Sequence, residues 1–575
     1  MGGSHKLMLA RWVAALCAIC VMLSACSGLP RRGGVTVVER STTPSGGVVL
    51  DAKGPTVGST PEELIQGFLR ASSAGVSDDF RVARQFLTPE AAARWNPSNG
   101  VSIFSDSESV EFSQTPNGAV LASVPALGSV DNSGNYIAAT PGSTISHEFS
   151  LMVNENGEWR IAALDDAVMM TQTVFSSVYV RSPLYFLNST NSALIPDVRW
   201  FPRSRALSLM STSLVTGPAA WLTTTAHTAY VSDANKAEMS VTVEDSTALV
   251  ELPAGVAGLS PANLALLEAQ FTKTLVGSGL VQRVELTAQG AYVSSGQNLD
   301  LPTYPYTTSP LITIVQGNVV SIQGGKGIAL RLDNEYTPSD FANIAVAPAQ
   351  PASRMVGRSA DGLRLSMLPL SKGKETLLYA SAKKPATGAA LAAPSIDSSG
   401  WVWSADAAMP GVLLAINLST GEQVRLSAPD LASGSVLQIA VSREGSRVVV
   451  LLSGNNTSQL AAFGVERNQA GTPTGLGDPL WFGQDFTAVR DAAWVSDSKI
   501  LVLGTVGTQG KDSLYSLDIG GIRERAAGVS NVQAVTAGRG LDSAVVLGAN
   551  GVVQKFSGSS WADITSGASA VAFPG

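Results

Sequence analysis

The stretch Glu444-Gly445-Ser446-Arg447-Val448-Val449-Val450 carries the pattern that decides the fold of the C-terminal half, a small or polar turn followed at once by a dense apolar strand. The pattern recurs at intervals of about 40 to 50 residues, which is typical of the four-stranded blades of a β-propeller. At roughly 45 residues per blade, residues 311–575 predict about six blades. The other copies are Asp361-Gly362-Leu363, Ser399-Gly400-Trp401-Val402-Trp403, Ser496-Asp497-Ser498-Lys499-Ile500-Leu501-Val502 and Gly540-Leu541-Asp542-Ser543-Ala544-Val545-Val546.

The composition of the whole chain agrees with a large β-rich protein. Its 575 residues are 14% charged and 45% hydrophobic, with 56 glycines, whereas a typical soluble domain is roughly 25% charged. The mean hydropathy is positive, at +0.19. The one long apolar run lies at the N-terminus, so the composition excludes a polytopic membrane protein. The length predicts three or four domains.

Residues 1–25 have the pattern of a signal peptide. Lys6 and Arg11 form a basic region, and the uncharged stretch 12–25 follows it. A helix needs about 20 apolar residues to cross a bilayer, so this shorter stretch predicts an export signal that is removed.

All three cysteines, Cys17, Cys20 and Cys26, lie in the first 26 residues, which excludes disulfides, thiolate metal sites and cysteine nucleophiles downstream. Leu23-Ser24-Ala25-Cys26 resembles a bacterial lipobox. That resemblance implies cleavage between Ala25 and Cys26, an S-diacylglycerol on the Cys26 thiol and N-acylation of its new amino group. The alternative is an ordinary secretory signal that happens to end at a cysteine.

The mature chain is acidic. Removing Lys6 and Arg11 from the 38 basic residues leaves 36 against 45 acidic ones, a net charge of −9. This balance argues against nucleic-acid binding and against electrostatic attraction to anionic lipid, so a lipid on Cys26 would be the anchor. Residues 26–59, rich in Gly, Ser, Thr and Pro, predict a flexible tether that spans on the order of 30 Å.

Residues 60–172 predict an α+β domain. Thr60-Pro61-Glu62-Glu63 is a capping box with proline at the first helical position, a second helix is expected near Asp79–Leu87, and Thr88-Pro89-Glu90 opens a third. Alternating apolar strands follow, and Asn156-Gly157 predicts a hairpin turn. Helices followed by a curved antiparallel sheet resemble the NTF2-like or cystatin cone.

Residues 178–297 predict an α/β domain. An apolar helix from about Ser204 to Leu214 ends at Gly217-Pro218. Strands at 237–243 and 248–252, a long helix at about 260–276 and a strand at 281–286 complete the unit. This order resembles the GerMN domain of spore-germination and envelope lipoproteins.

The sequence contains no complete catalytic motif, no metal-ligand set and no cofactor fingerprint. His147 falls on the apolar face of its strand and is interpreted as a core or cleft histidine, and His227 as a solvated loop residue. The pairs Asp165-Asp166 and Asp78-Asp79 are interpreted as surface carboxylates. Trp401, Trp403, Trp481 and Trp494 are interpreted as propeller core, with stacking on sugars as the alternative.

The lipobox, the NTF2-like unit, the GerMN unit and the propeller, in that order, resemble the LpqB family of actinobacterial lipoproteins. The resemblance implies a non-enzymatic protein without cofactors, lipid-anchored on the outer face of the plasma membrane through Cys26. It also implies binding to the extracytoplasmic domain of an MtrB-type sensor histidine kinase, and modulation of two-component signalling in cell-wall homeostasis and division. The alternatives are a cell-envelope glycan-binding protein or hydrolase that uses the propeller, and a scaffold for envelope assembly.

Overall fold

The computed structural model describes residues 53–77, 79–230, 239–303, 310–323, 325–330, 336–348, 353–370, 373–382, 384–385, 388–454, 458–507 and 510–575. The described residues, from Lys53 to the C-terminus, belong to one compact unit. Within the described part of it, three domains follow one another along the chain.

The first domain packs three helices on a mixed sheet. The predicted capping box is confirmed, because Thr60 Oγ1 accepts from the N–H of Glu63 and Glu63 Oε2 accepts from the N–H of Thr60 at 2.9 Å. The sheet order is β6-β5-β3-β1-β7, with β2 and β4 on β3. The elements are α1 (Pro61–Ala74), α2 (Pro89–Arg94) and α3 (Gln172–Val178), with β1 (Gly100–Phe104), β2 (Glu111–Gln114), β3 (Val120–Asp131), β4 (Tyr136–Ala138), β5 (Thr144–Val153), β6 (Trp159–Ala163) and β7 (Val168–Thr171).

The helix predicted near Asp79–Leu87 is wrong. Asp79 and Phe80 have φ angles of 57° and 58°, which belong to the left-handed region that a right-handed helix cannot contain. Only a 3₁₀ turn, Ala83–Phe86, forms there. The chain instead reverses at this point and buries Phe80 against Trp95.

The middle domain combines two small sheets with two helices. A three-stranded sheet has the order β10-β8-β9, and a four-stranded sheet has the order β11-β12-β13-β14 with β12 and β13 parallel. The predicted helix ends at Gly217, whose φ of 113° suits glycine. The elements are β8 (Tyr179–Asn188), β9 (Leu194–Pro202), α4 (Ala206–Thr216), β10 (Ala226–His227), β11 (Val241–Glu244), β12 (Thr247–Leu252), α5 (Pro261–Gly277), β13 (Arg283–Ala288) and β14 (Ala291–Tyr292).

The C-terminal domain is a β-propeller of six sheets in the described residues, in agreement with the predicted count. Its strands are β15 (Leu311–Val315), β16 (Asn318–Gln323), β17 (Lys326–Ala329), β18 (Phe341–Val346), β19 (Arg354–Ser359), β20 (Arg364–Pro369), β21 (Thr376–Ala380), β22 (Ser395–Ile396), β23 (Trp401–Ala405), β24 (Val412–Asn417), β25 (Gln423–Ser427), β26 (Ser435–Val441), β27 (Arg447–Ser453), β28 (Ser458–Arg467), β29 (Pro473–Leu476), β30 (Leu480–Phe482), β31 (Phe486–Trp494), β32 (Lys499–Val506), β33 (Ser513–Asp518), β34 (Arg523–Gly528), β35 (Val532–Thr536), β36 (Val545–Gly548), β37 (Val553–Phe556), β38 (Trp561–Thr565) and β39 (Ala568–Ala572).

The propeller closes by pairing the two ends of its sequence. The last strand, β39, is the innermost strand of blade 1 and pairs antiparallel with β15. Blades 2 to 6 begin with their innermost strands β18, β22, β26, β31 and β35. Four of the five predicted pattern segments are the turn from the first to the second strand of a blade, whereas Asp361-Gly362 is a turn from the second to the third.

Candidate functional site

The predicted lipidation and cleavage residues, Ala25 and Cys26, lie outside the described residues, as does Asp78. Lipidation at Cys26 therefore stays a prediction. The histidines, carboxylates and tryptophans singled out downstream of residue 78 are placed by the structure.

In the first domain, His147 links two polar side chains. Its Nε2 lies 3.2 Å from Ser102 Oγ, and its Nδ1 lies 3.3 Å from Asp165 Oδ2. Burial lowers the pKa of His147, and the neighbouring Asp165 carboxylate opposes that shift. His147 is therefore a largely buried histidine with polar partners, as interpreted from the sequence, but its two partners, on β1 and in the loop after β6, could not be read from local sequence.

Ser102, His147 and Asp165 contact one another in the order Ser–His–Asp of a serine hydrolase triad, but the surroundings of Ser102 differ from those of a nucleophile. Ser102 lies in the middle of β1, where it is paired with Ser129 on β3 and with Met169 on β7. The backbone N–H groups of such an interior strand donate to the carbonyl groups of the two neighbouring strands, β3 and β7. They are therefore not available beside Ser102 Oγ to stabilise an oxyanion. The arrangement fits a polar contact that orients the imidazole.

The adjacent carboxylates Asp165 and Asp166 serve different partners, as expected for neighbours on an exposed loop. Asp166 Oδ1 accepts from the N–H of Asn96 at 2.8 Å, whereas Asp165 is more than half exposed beside His147. His227 is exposed, as predicted, although it belongs to the two-residue strand β10 that pairs with Leu187.

The propeller tryptophans belong to the core. Trp401, Trp403 and Trp494 are 3%, 0% and 6% exposed, and Trp481 is half-buried. Trp403 Nε1 donates to Asp397, and Trp494 Nε1 donates to the carbonyl of Ala440. Buried rings with satisfied N–H groups offer no open face for stacking on a sugar.

The innermost strands surround a central cavity of about 370 Å³. Side chains bridge neighbouring innermost strands, and the parallel bridge between Ala393 and Gln438 adds a backbone contact between blades 3 and 4. Gln438 exchanges two hydrogen bonds with the backbone of Ala492, at 2.9 and 2.8 Å. Ser395 Oγ accepts from Val441 N–H at 3.1 Å, Asp491 Oδ2 from Val535 N–H at 2.7 Å, and Thr536 Oγ1 from Phe573 N–H at 3.1 Å.

Asp491 is the charged side chain that lines this cavity in the described part of the chain. Burial raises its pKa to about 7, against the lowering effect of the hydrogen bonds from Val535, Ala492 and Gln438. Because the pKa in the folded protein exceeds the ordinary aspartate value of 3.8, the native state binds more protons than the unfolded state between these two pH values. Stability contributed by the neutral acid is therefore lost as the pH rises towards 7.

The Asp491→Asn variant should show this as a pH-dependent difference. The free energy of unfolding of the variant minus that of wild type should increase by about 2.7 kcal/mol between pH 5 and pH 8, since pH 5 lies two units below the folded pKa and one unit corresponds to about 1.4 kcal/mol. Urea denaturation at both pH values measures the difference. Asp563→Asn, at an exposed carboxylate of blade 6, should show none, and a constant difference for Asp491→Asn would contradict the assignment.

Charged and polar side chains join the middle domain to blade 5. The Arg181 guanidinium binds both carboxylate oxygens of Asp518, with the Nε to Oδ2 distance at 2.7 Å, and its Nη2 donates to Ser498 Oγ at 2.7 Å. Tyr185 OH donates to Asp497 Oδ2 at 2.8 Å. Burial raises the pKa of Tyr185, and the Asp497 carboxylate raises it further.

The same junction contains a shared hydrophobic core. Buried residues of the middle domain, among them Phe186, Trp221 and Phe271, form one cluster with Leu451 and Phe486 of blades 4 and 5. Two glycines allow the middle domain to approach blade 4 closely. A Cβ at Gly464 would lie 2.5 Å from Thr225 Oγ1, and one at Gly477 would lie 2.9 Å from the Trp221 carbonyl oxygen. The middle domain and the propeller thus pack as one body.

The turn at residues 442–446, between β26 and β27 of blade 4, has an unexpected property. A charged turn is usually solvated, yet these five residues are all buried. Glu444 pairs with Arg447 at 2.8 Å, with both side chains 1% exposed, and Arg447 Nη2 donates to the Asp497 carbonyl at 2.7 Å. Asp497 therefore connects the buried turn to Tyr185 of the middle domain.

Two classes of site are not found in the described residues. These residues contain no group of three or more His, Cys, Asp or Glu side chains suited to a metal ion. None of their helices is long and apolar enough to cross a bilayer.

The fold defines a multidomain protein with a mixed N-terminal domain and a C-terminal β-propeller. Comparison with known families identifies the N-terminal domain and the C-terminal propeller of the chain. Residues 54–176 match the model of the lipoprotein LpqB N-terminal domain, and residues 337–574 match the model of the lipoprotein LpqB β-propeller domain. The chain belongs to the LpqB family, a family of lipoproteins.

Relatives named lipoprotein LpqB match along most of their length. The one from Cutibacterium acnes is 26% identical and covers 97% of this chain and 98% of its own, and the one from Thermobifida fusca is 26% identical and covers 91% and 92%. Among solved structures, a chain of the nidogen/laminin complex is 11% identical, with a TM-score of 0.34 over 46% of this chain and 97% of its own.

Proposed function

We propose that this protein is a non-enzymatic accessory subunit of a membrane sensor histidine kinase of the MtrB type. A lipid on Cys26 holds it at the outer face of the plasma membrane, and the folded domains bind the extracytoplasmic domain of the kinase. Binding changes the signal that the kinase passes to its response regulator, in the control of cell-wall homeostasis and division. The LpqB family membership supports the lipid anchor.

The observation that carries the proposal is the fused junction between the middle domain and blades 4 and 5. A ligand or partner shifts a two-state protein only if it binds the two states with different affinity. The middle domain and the propeller keep a fixed relative position, so a surface that they present to the kinase keeps one shape. Such a rigid surface meets this requirement better than two domains on a mobile linker. The exposed turns between the second and third strands, such as Asp361, Ala407 and Asn550, are the propeller surface that we assign to the kinase.

The test uses the lipidated chain together with the full-length kinase in membrane vesicles. We expect the chain to bind the kinase and to change its rate of autophosphorylation. Soluble residues 27–575 should bind the isolated kinase ectodomain. Absence of binding together with an unchanged autophosphorylation rate would refute the proposal, and binding to many envelope proteins without an effect on the kinase would favour a scaffold.

Arg181→Ala should loosen the junction without touching the proposed kinase surface. It leaves Asp518, 4% exposed, with Lys499 at 3.7 Å as its remaining partner. We expect a loss of about 2 to 3 kcal/mol in free energy of unfolding and a weaker effect on autophosphorylation. Arg490→Ala is the matched control, because the Arg490 and Asp512 pair lies in the same blade with Arg490 54% exposed, and it should cost at most about 0.5 kcal/mol.

A further inference from the structure

The central cavity of the propeller opens on one face of the domain. Its lining includes three exposed residues, Ala342, Gln533 and Ser569, each the second residue of its innermost strand. The lining residues near the opposite ends of these strands, among them Val346 and Ala537, are buried. The volume of about 370 Å³ lies within the range of small-molecule sites.

The carboxylate of Asp491 has spare capacity for hydrogen bonds. Its Oδ2 accepts from the N–H of Val535 at 2.7 Å, and its Oδ1 accepts from the N–H of Ala492 at 3.0 Å. An ionised carboxylate can accept about four hydrogen bonds. A donor in the cavity could therefore bind to Asp491 without displacing the backbone groups that hold this side chain in place.

A comparison between two blades indicates that the charge of Asp491 is not needed for the architecture. In blade 4, Gln438 Oε1 accepts from the N–H of Ala492 on the next innermost strand. Asp491 Oδ2 makes the equivalent bond from blade 5 to Val535 in blade 6. A neutral amide is thus sufficient to join two innermost strands. The carboxylate differs from it in being able to carry a negative charge, which is unfavourable in a buried position unless it is paired.

The described lining of the cavity contains no cationic side chain that would pair with Asp491. Two arginines lie behind the wall and bind other groups. Arg358 Nη2 donates to Asn343 Oδ1, and Arg443 Nη2 donates to the carbonyl of Ala537 at 3.3 Å. No neighbouring charge contributes to the raised pKa of Asp491, which comes from burial. The counter-ion of an ionised Asp491 would therefore come from a ligand.

We propose that the central cavity binds the primary ammonium group of a small alkylamine. An ammonium group has three N–H donors, and the Asp491 carboxylate and the side-chain oxygens of Gln533 and Ser569 are the acceptors that the lining offers. Val571 and Phe573 provide apolar surface for the alkyl chain. This site does not depend on the kinase proposal, although the cavity opens on the face assigned above to the kinase.

The lining suits an organic cation better than a metal ion. Calcium takes six to eight oxygen ligands, and magnesium requires near-ideal octahedral geometry. The described residues contain no group of three His, Cys, Asp or Glu side chains that could form such a shell. A single carboxylate among amides, hydroxyls and apolar side chains matches one ammonium group on a short carbon chain.

The test titrates the soluble chain, residues 27–575, with butylamine and 1,5-diaminopentane by calorimetry at pH 7.5. Pentane-1,5-diol, choline and potassium chloride serve as comparisons, in a buffer without a primary amine. We expect at least one of the two amines to bind. The uncharged diol should not bind, and choline, which has no N–H donor, should bind at least about tenfold more weakly.

The pH dependence identifies the acid that pairs with the amine. The pKa of Asp491 is about 7, whereas an alkylammonium group stays protonated well above that value, as the lysine pKa of about 10.4 shows. The apparent affinity should therefore rise about tenfold from pH 6 to pH 8, because only the ionised carboxylate pairs. Binding at pH 6 should release close to one proton, measured by titration in two buffers of different ionisation enthalpy.

Variants inside the cavity and at its mouth complete the test. Asp491→Asn keeps an acceptor for Val535 N–H and should abolish detectable binding, whereas Asp563→Asn, at an exposed carboxylate of blade 6, should not change it. Gln533 is exposed at the mouth, so its replacement leaves the core intact. Gln533→Lys should weaken binding severalfold by repulsion, and Gln533→Glu should strengthen it.

Three results would overturn the proposal. The first is failure of both amines to bind, and the second is binding that Asp491→Asn and Gln533→Lys both leave unchanged. The third is binding of the diol, choline or potassium as tight as that of the amines. Each is measured without the kinase, so none of them bears on the proposed kinase contact.

Discussion

Replacing Asp397 with alanine should lower the free energy of unfolding of the propeller by about 4 kcal/mol. Asp397 is fully buried between blades 3 and 4 and accepts four hydrogen bonds. Its Oδ1 accepts from the N–H groups of Ser399 and Trp401, at 2.9 and 3.0 Å. Its Oδ2 accepts from Trp403 Nε1 at 3.0 Å and from the Arg467 guanidinium.

The effect is large because the substitution leaves a buried charge without its counter-ion. Arg467, 8% exposed, keeps its hydrogen bonds to the carbonyls of Gly445 and Gly471 but loses its counter-ion. Removing one partner of a buried ion pair costs about 3 to 5 kcal/mol, because the other charge stays buried and uncompensated. The indole N–H of Trp403 loses its acceptor as well.

The measurement is urea denaturation followed by tryptophan fluorescence, to which Trp403 contributes together with the other tryptophans of the mature chain. Asp563→Ala is the matched control, because Asp563 is an exposed propeller carboxylate bound only to the Gln554 side chain, and its loss should be within about 0.5 kcal/mol. A loss of less than about 1 kcal/mol for Asp397→Ala would contradict a buried ion pair at this position.

Features that depend on a few neighbouring residues were predictable from the sequence. The capping box at Thr60 and Glu63 needs four residues, and the turn at Gly157, with a φ of 79°, needs two. The blade count followed from a repeat of a turn and an apolar strand. In each case the interactions are local, so the residue types carry the information.

Features that depend on distant residues were not predictable. Arg181 and Asp518 are 337 positions apart, and Ser102 reaches His147 across 45 positions. The polar turn at 442–446 is buried against other blades of the propeller, since the Arg443 carbonyl accepts from the N–H of Ser398 and the Arg443 guanidinium donates to the Ala537 carbonyl. No local pattern distinguishes it from the exposed turns of other blades.

Replacing Cys26 with alanine should release the protein from the membrane. The lipobox predicts a thioether-linked diacylglycerol at this thiol, and alanine has no group that can form the bond. Each buried CH₂ of an acyl chain contributes about 0.8 kcal/mol, so two or more chains anchor a protein stably where one would not. The mature chain, with a net charge of −9, has no basic excess that would hold it on anionic lipid once the acyl chains are lost.

Two measurements distinguish loss of the lipid from a failure of export. Metabolic labelling with an alkynyl fatty acid should mark the wild type and leave Cys26→Ala unlabelled, and fractionation should move the variant from membranes to medium. Cys20→Ala is the matched control, since Cys20 is removed with the signal peptide and that variant should keep both the label and the membrane fraction. A labelled Cys26→Ala protein would refute lipidation at this residue. An unlabelled variant that stays in membranes after signal cleavage would show that the folded domains, rather than the lipid, supply the attachment.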